Sequence, residues 1–385
     1  MTTLAALFRA FAIGLLGLLF LVVLWVAFWS FYNPFVDVPA PLKKSFPSVR
    51  GDETGRVLFL GDFAPTDRAL PYLEKHGYGY PYSKTLALLA SHDAVLANLE
   101  APITTAGRPW PLPKKYTYKI HPDAVPAMRS AGIDVVTLAN NHSHDYGRRG
   151  LHDTLRNLDG GGIAHIGAGM SEAAARRGIV IETSGGRLGV LSYMQDQLQW
   201  RVWTGAFAMD APFRNWSGSA RLDYSDLLED IKRLRSASDV VAVVVHWGSN
   251  YKPVNDRQRA IGRACIDFGA DVVIGHHPHQ YQPVAMHRGR PIVYSVGNYA
   301  FGTIGNSKMR FGMAAALHLR DGRVRGIEFT PLLTQNRIVK YRVRAARGEY
   351  LRSFMRDFIE ESGAEGATVE ERNEVAWLEL ERQLE

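Results

Sequence analysis

Cysteine is almost absent: Cys265 stands alone in 385 residues. A lone thiol excludes an intrachain disulfide and any cysteine-rich zinc module, and it leaves the compartment open. It lies in the helix-like stretch "GRACIDFGAD" and reads as a small core residue. Patterned basic charge is missing as well. The formal net charge of +7 favours anionic partners such as phosphates, polyanions or a membrane face. The basic residues are scattered, however, with no aromatic-basic motif, so nucleic acid is not an expected partner. No period of solenoid length is present, which excludes a stacked repeat. Apolar residues are not scarce: 46% are hydrophobic against 22% charged, a globular rather than a disordered composition.

One apolar run is long enough to matter by itself. "AFAIGLLGLLFLVVLWVAFW", Ala10 to Trp29, holds 20 residues without a charge. At about 1.5 Å per residue that suffices for one bilayer crossing. Trp25, Trp29 and Tyr32 suit the lipid-water boundary, and the run lacks the polar face of a helix packed on a globular core. The best cleavage-like site, "VPA" ending at Ala40, is followed by Pro41, so the run reads as an uncleaved transmembrane anchor. Arg9 and the amino terminus compete with Lys43, Lys44 and Arg50 over its orientation. The short basic N-terminus favours a domain held outside the cytoplasm.

Beyond the anchor (residues 1–32), residues 33–55 are rich in proline and charge and read as a tether. From Arg56 short aliphatic runs alternate with amphipathic stretches. Strands are expected in "RVLFLGD", "DAVLANLE", "IDVVTLAN", "GIVIET", "RLGVLSYM", "DVVAVVVHWG", "DVVIGHH" and "PIVYSVGN". Helices are expected at 82–91, 122–131, 148–158, 225–235 and 256–268. Such alternation, with strands of nearly continuous Val, Ile and Leu, predicts a layered α/β core within residues 56–345. Residues 101–120, with four prolines, form a loop excursion. Trp200, Trp203, Phe207, Phe213 and Trp216 cluster in residues 195–222, as local packing or as a substrate or membrane-dipping surface. Residues 312–345 look like further strands, and residues 346–385 like a solvated helical tail without chemistry.

The strand ends carry the functional signal. "FLGD" ends in Asp62, "LANLE" in Asn98 and Glu100, "TLANNH" in Asn140, Asn141 and His142, "VVVHWG" in His246, and "VIGHHPH" in His276, His277 and His279. Each alone has a bland reading as a cap, a turn or a solvated side chain. Five hydrophobic strands that all finish in metal-competent side chains are harder to dismiss, because the carboxyl ends of parallel strands lie along one edge. A mixed oxygen and imidazole set suits Mn, Fe or Zn better than Ca or Mg. With two ions it suits a carboxylate-bridged site that polarises a phosphoryl or carbonyl oxygen.

The ordered motifs "GD", "ANLE", "GIDVVTLANNHSHDYGRRGL", "HWG", "GADVVIGHHPHQYQPV" and "YSVGNY" resemble the CapA/PgsA family of capsule and poly-γ-glutamate synthesis proteins, placed in the calcineurin-like metallophosphoesterase superfamily. The match runs from about Leu58 to Phe301. The resemblance implies a four-layer α/β/β/α sandwich in place of a single sheet, attached to a bacterial cell membrane by one N-terminal helix. It also implies two divalent transition metals. Asp62 and His279 would hold one, Asn141, His246 and His277 the other, and Glu100 would bridge them. His142 would be the acid that serves the leaving oxygen, supported by Asn98, Asn140, Asp145 and Asn298. Asp145 would cap the helix that follows or orient His142. His276 stays outside the set.

Two positions depart from the family patterns. Ala64 stands where general metallophosphoesterases carry a histidine, and Asn250 where CapA-like proteins often carry a carboxylate. Two functions from different classes are therefore expected to compete. One is a membrane-anchored metal-dependent hydrolase of a phosphoester or an anionic envelope polymer. The other is a non-catalytic subunit, working with other capsule or polymer synthesis subunits, that binds anionic polymer in the same cleft.

Overall fold

The computed structural model describes residues 14–15, 17–23, 36–109, 114–195, 218–303 and 307–380. Among them, two large sheets carry the fold. The first has seven strands in the order β1 (Leu42–Ser45), β7 (Ile179–Thr183), β8 (Gly186–Met194), β10 (Val240–His246), β11 (Val272–His276), β13 (Arg290–Val296) and β12 (Tyr281–His287). The second runs β18 (Val369–Arg372), β19 (Val375–Glu379), β16 (Arg323–Leu333), β15 (Phe311–Arg320), β2 (Gly55–Ala64), β3 (Ala94–Leu99), β4 (Val135–Thr137) and β5 (Ala164–Ile166). There β14 (Asn298–Phe301) also pairs with β2, and β17 (Arg344–Ala345) with β16. A short pair, β6 (Ala168–Gly169) and β9 (Gly218–Ser219), stands apart. The sheets are mixed rather than mainly parallel. β2 to β5 run parallel, as do β8, β10, β11 and β13; β14 is parallel to β2 and β1 to β7, and the remaining pairings within the two large sheets are antiparallel.

Alternation along the strands builds the layers. In β10, Val240, Ala242 and Val244 join the core between the sheets, whereas Val241, Val243 and Val245 face the helices. In β2, Val57 and Phe59 point inward and Leu58 and Leu60 outward. Side chains two apart share a face, so each strand serves two cores. Helix Tyr224–Arg235 presents Leu227, Ile231 and Leu234, and helix Asp256–Asp267 presents Ile261, Cys265 and Ile266, to the first sheet. Val125 and Met128 of helix Ala124–Ser130 and Leu151 and Leu158 of helix Gly147–Gly160 cover the second. That spacing of three and four is what gives a helix one apolar side. The chain is an α/β sandwich, with these four helices on the outer faces of the paired sheets.

Two expectations about the ends of the domain are corrected. Within the supposed tether, Leu42–Ser45 pairs with Ile179–Glu182 as the edge strand β1. The supposed solvated tail completes the core. Helix Glu349–Ala364 buries Leu351, Phe354, Met355 and Phe358 between the sheets, and β19 then pairs with β16. Among the described residues no helix is long and apolar enough to cross a membrane, and the expected anchor lies largely outside them. The tryptophan-rich cluster from Trp200 to Trp216 also lies outside them.

The C-terminal helix yields a direct measurement. Phe358 is 0% exposed and packs against Tyr281, Phe329 and Phe354. Phe358→Ala should cost about 3–5 kcal/mol of stability, the usual range for a phenylalanine removed from a core. Thermal unfolding should show a clear drop; an unchanged midpoint would restore the solvated tail.

Candidate metal centre

The site forms where the carboxyl ends of β2, β3 and β4 in one sheet meet those of β10 and β11 in the other. β2 reaches Asp62 through Gly61, whose position is forced by a close approach. A Cβ there would lie 2.1 Å from the Gly297 carbonyl oxygen, and the Asp62 amide bonds that same oxygen at 2.9 Å. Gly297 in turn delivers Asn298 beside Asp62. β11 ends at His276, and Pro278 has no amide to continue the ladder. His277 (φ 96°) and His279 (φ 56°) both adopt the left-handed region, which is unfavourable for a histidine. That reversal folds both imidazoles back over the sheet edge.

Glu100 lies at the centre, immediately after β3, and is 0% exposed. Its Oε1 is 3.5 Å from His246 Nε2 and 3.9 Å from His279 Nε2. Neither carboxylate oxygen takes part in a hydrogen bond among the described residues. On one side His279 Nδ1 lies 3.1 Å from Asp62 Oδ2 and 2.9 Å from Asn298 Oδ1. On the other, His246 Nε2 lies 2.9 Å from Asn141 Oδ1 and 3.0 Å from His277 Nδ1. Ligand atoms of Glu100, His277 and His279 lie within 4.8 Å of one another, as do those of Asp62, Glu100 and His246. The side-chain contacts pair Asp62 with His279 and Asn141 and His277 with His246, the His277 amide also reaches Asp62 Oδ2 at 3.3 Å, and Glu100 belongs to both proximity sets.

Two asparagines hold this arrangement in place. Asn98 Nδ2 donates to Asp62 Oδ1 at 2.8 Å, and its Oδ1 accepts from Asn140 Nδ2 at 3.1 Å. Asn140 Nδ2 also donates to the Leu99 carbonyl, and its Oδ1 receives the His142 amide. β4 already ends at Thr137, so Asn141 and His142 sit in a turn and not in an extended segment. Even so, they diverge: Asn141 faces His246, and His142 Nδ1 meets Asp145 Oδ2 at 2.7 Å. Asp145 does not cap the following helix, which has no side-chain cap; it orients His142 and accepts the Tyr118 amide. His276 points elsewhere, its Nε2 3.0 Å from the Leu60 carbonyl.

Residues that the sequence did not single out complete the surroundings. Lys114, from the proline-rich excursion, is buried and pairs with Asp145, donates to the Asn141 carbonyl at 2.6 Å and lies 3.1 Å from His142 Nδ1. The Tyr118 ring packs 4.5 Å from the His142 ring, and Phe301 4.7 Å from that of His279. Of the two departures, Ala64 is buried in the apolar core of β2, and Asn250 is exposed on a turn outside the cluster.

The electrostatics explain why a cation fits. Burial, and then the Asp62 charge, push the Glu100 carboxyl well above its ordinary range. Burial drives the imidazoles of His246 and His277 well below theirs, so they stay neutral, the form that binds a metal. Burial also opposes charge on His279, yet Glu100 and Asp62 lift it to about 9. A proton on His279 and the more distant Lys114 ammonium are the cations that act on Glu100, and a multivalent metal would fill that role better. The mixed carboxylate, amide and imidazole donors suit a divalent metal ion. His277→Ala and His279→Ala should lower bound metal, measured by elemental analysis of the purified full chain, while His276→Ala should leave it nearly unchanged. Equal losses at all three positions would sink the assignment.

Comparison with known proteins matches these positions to a family. The family model described as "Bacterial capsule synthesis protein PGA_cap" covers residues 56–303, a span that holds every candidate ligand from Asp62 to His279. The chain is 28% identical over 294 residues to a PGA biosynthesis protein CapA of Bacillus subtilis, covering 75% of each. It is 27% identical over 308 residues to a capsule biosynthesis protein CapA of Bacillus anthracis, 78% of this chain and 71% of that one. A probable polyglutamine synthesis accessory protein of Mycobacterium tuberculosis is 32% identical over 237 residues, 57% of this chain and 59% of the relative. With more than half of its length matched, the chain belongs to the PGA_cap family of bacterial capsule synthesis proteins.

Proposed function

We propose that the chain is an accessory protein of capsule or poly-γ-glutamate synthesis that hydrolyses a phosphoester or envelope-polymer bond at a dinuclear metal centre. The observation that carries this reading is Glu100, a fully buried carboxylate without a hydrogen bond among the described residues, flanked by Asp62 and three histidines. Asp62 and His279 would hold one ion, Asn141, His246 and His277 the other, with Glu100 shared. When bound, such ions supply Lewis-acid polarisation of the scissile group and a water of lowered pKa. The chain's own residues do the rest. Asp145 accepts from His142 Nδ1, which leaves Nε2 as the nitrogen that takes a proton and returns it to the leaving oxygen. Lys114 balances the Asp145 charge and ties it to the Asn141 backbone. Asn98 and Asn140 fix the turn that presents both Asn141 and His142.

A second reading is a non-catalytic subunit that binds anionic polymer. The word "accessory" in the mycobacterial relative's name favours it, as does Ala64 at a position where a further ligand was expected. Membrane attachment belongs to both readings. Its support is the apolar run together with the exposed side chains of Leu18, Leu19, Phe20 and Leu21, which are 61–63% exposed on a helical segment. Exposed apolar surface of this kind needs a lipid or protein partner. The domain is then held outside the cytoplasm of a bacterial cell by one crossing.

Ligand and catalyst can be separated. His142→Ala should keep its metal and slow turnover of an activated aryl phosphodiester by roughly 10²–10⁴-fold, the range for a lost acid-base group. Asn141→Ala should instead lose one of the two ions. A fully metallated wild type that turns over no phosphodiester or polymer would hand the lead to the non-catalytic reading. For topology, a reporter fused to the C-terminus should be active only if it works outside the cytoplasm. Activity confined to a cytoplasmic reporter would reverse the orientation.

A further inference from the structure

Away from the metal centre, the first turns of helix Glu349–Ala364 border a cavity of about 540 Å³. Arg352 and Arg356 line it from the helix, one turn apart, and Arg310 faces them from the segment before β15. Three guanidinium groups around one cavity repel one another, and the two on the helix do so at i,i+4 spacing. Arg356 is partly neutralised by Asp357, 2.8 Å away. Arg310 and Arg352 have no salt bridge among the described residues, and the buried Arg310 Nε has no hydrogen-bond partner there. Glu349 is the one acid on this cavity's lining.

The cavity is not isolated. Arg310 and Ser353 also line a second cavity of about 570 Å³ that reaches Lys308 and Gln280. Gln280 directly follows His279. Lys308 Nζ donates to the Tyr251 carbonyl at 2.9 Å, and the Tyr251 ring lies 6.0 Å from the His279 ring. The second cavity is thus lined by the residue next to His279, although no candidate ligand lines it. Of the three acids on the second cavity, Glu365 pairs with Arg259 and Asp357 with Arg356, while Glu361 has no ion pair among the described residues.

We propose that Arg310, Arg352 and Arg356 form an oxyanion-binding subsite for an anionic chain, which lies along the two cavities toward the metal centre. It deepens the polyanion reading above and rests on it. The ligand group is a carboxylate or phosphate, matched by the planar fork of arginine and supplied by a polymer that carries one on each unit. Because the subsite and the metal ligands are separate residues, a long chain can be held at one place and meet the metal centre at another.

Fluorescence anisotropy on the full chain in detergent tests this, with labelled poly-γ-glutamate of about 20 units and polyphosphate of matched charge as the two probes. Wild type should bind one of them, and the tighter probe identifies the group. Arg310→Gln combined with Arg352→Gln should raise Kd about tenfold or more, consistent with lost charge-assisted hydrogen bonds. Arg156→Gln, an exposed arginine on another helix, should change it less than twofold. Thermal unfolding of the double variant confirms that it folds. No binding of either probe, an unchanged Kd in the double variant, or an equal loss in Arg156→Gln would overturn the subsite. None of these touches the metal assignment, which stands or falls on the metal content of the His277 and His279 variants.

Discussion

Burying a carboxylate without a hydrogen bond costs several kcal/mol unless a positive charge stands beside it, and among the described residues Glu100 is buried in that way at the meeting of the two sheets. Much of the surrounding architecture can be understood as its compensation. His279 carries charge because Glu100 and Asp62 raise its affinity for a proton against the effect of burial. His246 and His277 stay neutral and keep their ring nitrogens 3.0 Å apart, an arrangement in which at most one proton can lie between them. A cluster with a surplus of buried acceptors and lone pairs is poor as a structural core. As a receptor for multivalent cations it is well matched.

That cluster depends on backbone geometry as much as on side chains. β2, β3 and β4 end side by side because their aliphatic runs are buried on both faces and stop where polar groups begin. His277 and His279 occupy left-handed backbone conformations that nothing local favours, so the packing around them must impose the reversal. Asn98 and Asn140 link Asp62 to the turn that carries Asn141 and His142. Two candidate ligand groups from different strands are thus positioned by one short network of amides. The centre is rigid where ligands must be placed, and strained where the chain doubles back.

How much of this was legible depended on whether a residue's role was written in its neighbours. Strand ends were legible, since an apolar run that breaks into polar residues has few reasons to do so; His246 directly follows such a run, and Asp62, Glu100 and His277 come shortly after one. His276 was left outside the expected set because of its place in the family motif, and its ring turns to the Leu60 carbonyl. The number of sheets was not legible from periodicity, for a strand buried on both faces looks alike in one sheet or two. Lys114 was hidden: a lysine among prolines reads as a solvated loop, and only tertiary folding lays it over Asp145. The C-terminal helix did carry its signal, in Leu351, Phe354, Met355 and Phe358 at helical spacing, but its charged opposite face drew the reading toward solvent.

The two faces of that helix bear on function as well as on stability. Its apolar side closes the space between the sheets, and its polar side brings Arg352 and Arg356 opposite Arg310. A helix anchored by four buried side chains holds such arginines more firmly than a loop would, so an ion bound there incurs less ordering cost. The proposed metal centre likewise draws on elements fixed by the core. Binding of a polymer and chemistry on it would then be coupled through one rigid body, with the chain length between the two points set by the fold. Any hydrolysis would consequently occur at a fixed distance from the place where the polymer is gripped, a constraint that a free-standing active site does not impose.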